Sequence, residues 1–392
     1  MIKVVIAFIN IGPYHFARLL SASKVASSKG FDLKILQVTN NKLEHPWGEI
    51  KNDLVNDIHT LSLINESSEK SNALKKIPRI SQEQVDSYFN LIKPQIIFVP
   101  GWSFEISKKI INWSKKNNVR LVLMSETKAD DKKRNFFIEL FKSKFIIPKF
   151  SAAIVGGSIH SKYLINLGMK KESIFSGYDV VDNKFFIEKS KSAKLKKHQI
   201  LKSFSIPDKP FFMVVCRLIK RKNIKRLFRA YLSYVELYSD DSWNLIICGS
   251  GNELLNLKNY AKDLGIDKKV KFLGFVNYNK IAELYGLASC FIHPALSEQW
   301  GLVINEAAAA GLPFILSETV GATSELLKDN INGFSIDPNL EEEIFEAMKK
   351  IHQLPKRELI QMGKISKQIV GEFDSNQFGN AVSQIIDYLM RK

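Results

Sequence analysis

Short unbroken apolar runs recur along this chain, each followed by a turn and then a helix-like stretch. Val4–Ile9, Phe31–Thr39, Pro94–Val99, Arg120–Met124 and Ala152–Val155 mark the first half. Phe211–Val215, Leu245–Cys248, Val270–Val276, Cys290–His293 and Pro313–Leu316 mark the second. A strand buried on both faces reads as a continuous apolar run rather than an alternation, and that happens where helices cover both sides of a parallel sheet. Strand and helix in regular alternation therefore predict an α/β chain with doubly wound parallel sheets. At 392 residues there is enough chain for two such cores.

Open sheets of this kind bind ligands at the carboxyl ends of their strands. The stretch Leu296–Glu306 follows one such end and carries two glutamates, Glu298 and Glu306, eight positions apart. An alanine-rich segment, Ala307–Ala310, comes next and is closed by Gly311 and Pro313. The pattern predicts strand, loop and helix start, with Glu298 in the loop and Glu306 about a turn into the helix. The free amides of Gly301, Leu302 and Val303 would point into the loop, where a helix start attracts phosphate. Glu306 could then take two hydroxyls of a ribose and Glu298 the hydroxyls of a sugar. Taken alone, two glutamates at this spacing also fit a helix N-terminus with a favourable acid in its first turn.

In context, the stretch resembles the E-x7-E signature of retaining glycosyltransferases with the GT-B fold, in the large family usually called family 4, the glycosyl transferases group 1. Other segments continue the resemblance in order. Arg217 and Lys222, on the loop after Phe211–Val215, stand where the family carries a Gly-Arg…Lys-Gly segment, with Cys216 and Asn223 in place of the usual glycines. Gly249-Ser-Gly251 matches a strand ending in Gly-x-Gly, and Val270–Val276 matches a Val-x-Phe-x-Gly-x-Val strand whose end, at Val276, lines a base pocket. Gly177–Asn183 falls where the family has an Asn-Gly-Val-Asp-like segment. The resemblance is close over residues 205–345 and looser over 1–200.

The resemblance implies two Rossmann-like domains facing a cleft and a metal-independent transfer. In it, Arg217, Lys222 and the helix dipole at Gly301 neutralise the leaving diphosphate. The family also implies that the leaving phosphate itself takes the acceptor's proton. Boundaries are expected as an acceptor-side domain over 1–190, a lysine-rich linker over 191–205, a nucleotide-sugar domain over 206–372 and a terminal helix over 373–392 returning to the first domain. Near the first strand's end, Gly12 and His15 are candidates for the acceptor side, with a packed helix-entry residue as the plainer reading of His15. Where many family members carry a histidine, this chain has Glu126, a candidate contact to acceptor or donor sugar. The expected donor is a nucleoside-diphosphate sugar, UDP-linked, and the expected acceptor a saccharide or lipid-linked hydroxyl. No cofactor and no metal are expected. An epimerase on the same fold is the first rival; a phosphorylase would need a pyridoxal phosphate lysine, for which there is no motif.

Charge adds a partner. Residues 1–200 hold 33 Lys and Arg against 18 Asp and Glu, a formal +15, whereas residues 201–392 hold 24 against 22, a formal +2. A basic half suits a polyanion, and a lysine-rich genome would give the same total. Residues 128–150 interleave Lys128, Lys132, Lys133, Arg134, Lys142, Lys144 and Lys149 with Phe136, Phe137, Phe141 and Phe145. This suits either an interfacial helix on an anionic membrane or an ordinary amphipathic helix covering the sheet. A basic nucleic-acid-binding protein is a further rival, but no recognised motif supports it, so no nucleic acid is expected. The start of the chain reads as a first strand rather than a signal peptide, and no apolar run approaches the ~20 residues of a membrane span. The three cysteines, Cys216, Cys248 and Cys290, sit singly in strand-like runs, as in a reducing compartment. The expectation is a cytoplasmic protein that can sit peripherally on the inner membrane face.

Overall fold

The computed structural model describes residues 1–39, 58–62, 80–131 and 133–391. The chain divides into two units, Met1–Val180 with Asp374–Lys392, and Val181–Phe373. In the first, β1 (Lys3–Phe8), α1 (Pro13–Lys29), β2 (Asp32–Thr39) and β3 (Ile58–Ser62) are followed by α2 (Gln82–Ile92), β4 (Ile96–Pro100) and α3 (Glu105–Asn117). Then come β5 (Arg120–Ser125), α4 (Phe136–Phe141), β6 (Ala152–Val155), α5 (Ser158–Asn166) and β7 (Ile174–Ser176). All neighbouring strands run parallel, in the order β3-β2-β1-β4-β5-β6-β7. The order reverses between β1 and β4, so the loops after these strands open a crevice at the sheet's carboxyl edge. Val4, Val5, Ile6 and Ala7 are fully buried, as the unbroken apolar run requires.

The second unit begins with α6 (Asn183–Leu195) and α7 (Lys197–Ser203) and continues through β8 (Phe211–Val215), α8 (Ile224–Tyr238), β9 (Asn244–Cys248), α9 (Leu254–Asp263) and β10 (Val270–Gly274). It goes on with α10 (Tyr278–Leu287), β11 (Cys290–His293), α11 (Leu302–Ala310), β12 (Phe314–Ser317), α12 (Thr323–Leu326), β13 (Gly333–Ile336), α13 (Glu341–Gln353) and α14 (Lys356–Val370). Six parallel strands follow the order β10-β9-β8-β11-β12-β13, which reverses between β8 and β11. A last helix, α15 (Asn376–Met390), belongs to the first unit, where Ser21 of α1 donates its hydroxyl to the Asn376 carbonyl at 3.3 Å. Gly379 faces Ser21 so closely that a side chain there would meet backbone. The three cysteines are free and buried. No helix among the described residues is long and apolar enough to cross a membrane.

Three expectations change. Residues 191–205 are not an extended linker but the end of α6 and the whole of α7, within the second unit, whose boundary falls at Val181 rather than 190. Phe186, Ala193, Ile200 and Leu201 are buried at helical spacing while the lysines between them face solvent, so a lysine-rich composition hid an amphipathic pattern. Asn183 donates to the Val370 carbonyl at 2.7 Å and Phe185 stacks on Tyr278 at 4.8 Å, which ties α6 to the second unit. Secondly, the polar stretch 40–80, where no apolar run marks a strand, contains the edge strand β3; residues 40–57 and 63–79 lie outside the described residues.

Thirdly, residues 128–150 do not form one long helix. α4 spans six residues, Lys142–Ile146 widen into a π-turn and Ile147–Lys149 tighten into a 3-10 turn. Pro148 has no N–H and its ring crowds the carbonyl four residues back, so an α-ladder cannot run through it. Lys132, part of the expected interleaving, lies outside the described residues.

Candidate functional site

In the second unit the two loops flanking the strand-order reversal carry the charged groups. After β8, Cys216–Ile219 lead into a 3-10 turn, Lys220–Lys222, and Asn223 adopts a left-handed conformation with φ 61° before α8 starts. Asparagine is among the few residues other than glycine that adopt this region readily. It also stitches the loops together: its side-chain amide donates to the Pro294 carbonyl at 3.1 Å and the Pro338 carbonyl at 2.7 Å. The Leu296 amide donates to the Arg221 carbonyl at 2.9 Å, so the β8 and β11 loops are held as one ledge.

Lys222 sits on that ledge, 7% exposed, and makes a close ion pair with Glu298. Arg221 approaches the same carboxylate at 3.9 Å, and His293, at the end of β11, at 3.7 Å. Burial pushes Lys222 down to about 8, with the positive fields of Arg221 and Arg217 adding to the fall and the Cys216 thiol opposing it. Glu298, in direct contact, also works against that fall, and the charged pair is the state the geometry favours. His293 is held well below its usual range by burial first and by Lys222 and Arg221 second, so it stands there neutral. Burial also raises the Cys216 thiol to about 12, which keeps it a thiol.

Glu298 is fixed by a backbone bridge to Val320, with the Gly321 amide donating to the Glu298 carbonyl at 3.2 Å. Beyond it, Gly301 turns the chain with φ 103°, a left-handed value that favours glycine, and α11 begins without any side-chain cap. Its first residues, Leu302 and Val303, are only half-buried, so their amides face an open helix mouth. Ala307, Ala308 and Ala309 are fully buried and let α11 pack close to the sheet. One turn in, Glu306 accepts the Tyr285 hydroxyl at 3.0 Å. Burial raises its carboxyl from 4.5 to about 7, and the Tyr285 hydrogen bond only partly offsets this. Val276 lies two residues past β10, half-buried, beside the exposed Phe275.

Of the residues expected from sequence, Lys222 and Glu298 meet directly, and Arg217 is exposed but near enough to lower Lys222. Arg221, His293 and Tyr285 were missed. Arg221 stands in the same cationic run as Lys222, and His293 ends the apolar run before Pro294; neither position announces contact with Glu298. Trp300, two residues past Glu298, is 1% exposed, and its indole N–H donates to Asn305 at 2.8 Å. It belongs to the core.

In the first unit, Gly12 is buried at the start of α1 and its amide donates to the His15 ring at 3.1 Å, while His15 packs at 4.7 Å from Phe8. Glu126, just past β5, is half-buried. It hydrogen-bonds Asp179, whose carboxyl is held well above the usual range by burial and by Glu126, with Arg18 opposing. Arg18 is itself fully buried, 3.5 Å from Asp179, and lies over the Tyr178 ring at 4.7 Å. Arg18, Asp179 and Glu126 thus form one buried-to-half-exposed polar cluster just past β5.

Residues 196–368 match the family model described as glycosyl transferases group 1. An uncharacterized glycosyltransferase of Methanocaldococcus jannaschii is 36% identical over 131 residues, which take in 33% of this chain and 33% of that protein, so the chain spans about a third of that relative's length. Among solved structures, a glycosyltransferase from Rickettsia africae aligns over 100% of this chain and 99% of its own at 14% identity, with a TM-score of 0.77. Anabaena Alr3699/HepE in complex with UDP aligns over 99% and 100% at 15% identity, with a TM-score of 0.73. At such identities the structures share the fold, which is GT-B.

Proposed function

We propose, from the match of residues 196–368 to the glycosyl transferases group 1 family, that the chain is a retaining, metal-independent glycosyltransferase. It moves a sugar from a UDP-linked donor to a hydroxyl of a saccharide or lipid-linked acceptor. The observation that carries this reading is the second unit's ledge, where a buried lysine grips Glu298 beside an uncapped helix mouth and a buried glutamate. UDP bound to the Anabaena neighbour supports uridine as the base.

In this reading the diphosphate lies against the Gly301, Leu302 and Val303 amides, within reach of Lys222 and Arg217. Ribose hydroxyls donate to Glu306, which binding draws into its anionic form. Glu298 accepts hydroxyls of the transferred sugar, and Val276 borders the base. As the bond from the anomeric carbon to the phosphate oxygen breaks, negative charge grows on the diphosphate. Preorganised cations and amides stabilise that charge more than they stabilise the ground state. The leaving phosphate oxygen takes the proton of the acceptor hydroxyl as that oxygen attacks the same sugar face. Gly12, His15 and Glu126 form the acceptor's binding surface on the first unit. The +15 of residues 1–200 supports work near an anionic surface.

A thermal-shift panel of UDP-, GDP-, ADP- and CMP-sugars tests the donor, because a ligand bound only by the native state raises its stability. A UDP-sugar should raise the melting temperature, and turnover should persist with chelator present. NMR of the product should show the donor's anomeric configuration kept. An inverted product, or a chelator-dependent one, would end the mechanism; no shift with any sugar nucleotide would end the assignment.

A further inference from the structure

The α4 segment of the first unit is amphipathic the wrong way round for a helix that covers a sheet. Phe136, Phe137, Ile138, Leu140, Phe141 and Phe145 are all exposed, Phe136 and Phe137 by 74% and 76%. No residue of α4 or of the π-turn after it is buried. At 100° per residue the apolar side chains of α4, between Phe136 and Phe141, sweep about 200° of its surface. Glu139 occupies the remaining arc and faces the body of the unit. Tyr163 of α5 donates its hydroxyl to Glu139 at 2.7 Å, Lys142 bonds Glu139 at 2.6 Å and the Tyr163 oxygen at 3.1 Å, and Arg134 lies over the Tyr163 ring at 4.6 Å. The polar face is the anchored face, and the phenylalanine ridge is what the segment presents outward.

Around the ridge, Lys133, Lys144 and Lys149 are exposed and make no ion pair among the described residues, while Glu139 is already neutralised by Lys142 and Arg134. An exposed aromatic ridge of this size marks an interaction surface. Its rim of free lysines selects a negatively charged occupant, and large apolar side chains with lysines beside them are the composition of an interfacial helix. We propose that residues 133–149 insert the Phe136–Phe145 ridge into the surface of an anionic lipid bilayer, with Lys133, Lys144 and Lys149 on the headgroups. This goes beyond overall charge by naming the element and the side chains that enter, and it does not depend on the transfer reaction.

Flotation of the full chain with vesicles tests it, using neutral phosphatidylcholine alone and the same lipid with a third phosphatidylglycerol. The native chain should float with the anionic vesicles and much less with the neutral ones. The double variant Phe137→Ser with Phe141→Ser should lose about tenfold or more of the partition at any salt concentration. Replacing Lys133, Lys144 and Lys149 by Gln should cost about fivefold each at low salt and little at high salt. Melting temperature and the UDP-induced shift should stay native in every variant, because the altered side chains are exposed. Flotation unchanged by the Phe variants overturns the proposal. So does a dimer in lipid-free solution that the same variants dissolve, because the ridge would then be an interface between copies of this chain.

Discussion

The two sheets reverse strand order in the same way, yet the loops at their reversals hold different chemistry. In the second unit the β8 and β11 loops concentrate formal charge in a half-dry ledge: Lys222 and Glu298 in contact, Arg221 at the edge, and Glu306 behind. In the first unit the corresponding crevice is quiet. His15 is engaged with the Gly12 amide and the Phe8 ring, and Glu126 is tied through Asp179 to the buried Arg18. One topology thus builds a charged ledge in one unit, and in the other the surface we propose for the acceptor hydroxyl. Function follows from what the loops carry, since the fold alone does not choose it.

The contrast is broken most severely by removing the ledge's cation. Lys222→Ala should lower transfer by about 10²–10³-fold, the usual worth of one preorganised charge contact. The acceptor's KM should barely move. Melting should also fall, because Glu298 is left beside His293 with only the distant Arg221 to answer it. An equal loss from Glu126→Gln would mean that the two crevices are not specialised as described. For that variant the expectation is smaller, about tenfold, felt in acceptor KM while donor affinity and the UDP-induced thermal shift stay native.

Between these lies a prediction about pH. Glu306 has its carboxyl raised in the folded chain, so it destabilises the fold as pH rises from 4.5 through about 7 and is indifferent well below that. The full shift corresponds to about 3 kcal/mol. Glu306→Gln should therefore melt higher than the native chain at pH 8 and alike at pH 4. Its donor affinity should be weaker, because the anionic acceptor of the ribose hydroxyls is gone. In the native chain, donor affinity should rise about tenfold from pH 6 to 8 as Glu306 ionises. It should fall again at a pH above 8, where Lys222, lowered by burial but supported by Glu298, loses its proton. A flat profile by calorimetry across that range would remove Glu306 from the site.

How much of this could be read in the sequence divides along the same line. Strands of both sheets are legible because burial on two faces writes them as unbroken apolar runs. The edge strand Ile58–Ser62 is not, because residues 58–61 are only partly covered and the stretch reads as polar loop. The helix start at Gly301 and the nearness of Lys222 to Glu298 are legible as loop positions at strand ends. Which cation of the 217–222 run turns toward the carboxylate is not, because a single 3-10 turn decides it and no periodicity encodes that turn. Arg18 and Asp179 escape for another reason: they are 161 residues apart and meet only through the first unit's tertiary packing.

Trp300 sharpens the comparison with the smallest effect. Its position between Glu298 and Glu306 suggests a sugar contact, yet its ring is buried against Phe373 at 5.6 Å and its N–H is taken by Asn305. Trp300→Phe removes that donor and should cost on the order of 1 kcal/mol of stability. The preference among donor sugars should be untouched. Gln299→Ala, next to it and half-exposed, should change the ratio of kcat/KM between two donor sugars by a few fold with the melting temperature unchanged. If the two variants exchange these behaviours, with Trp300→Phe altering sugar choice and Gln299→Ala altering stability, the ledge turns a different face to the donor and Glu298 must be repositioned with it.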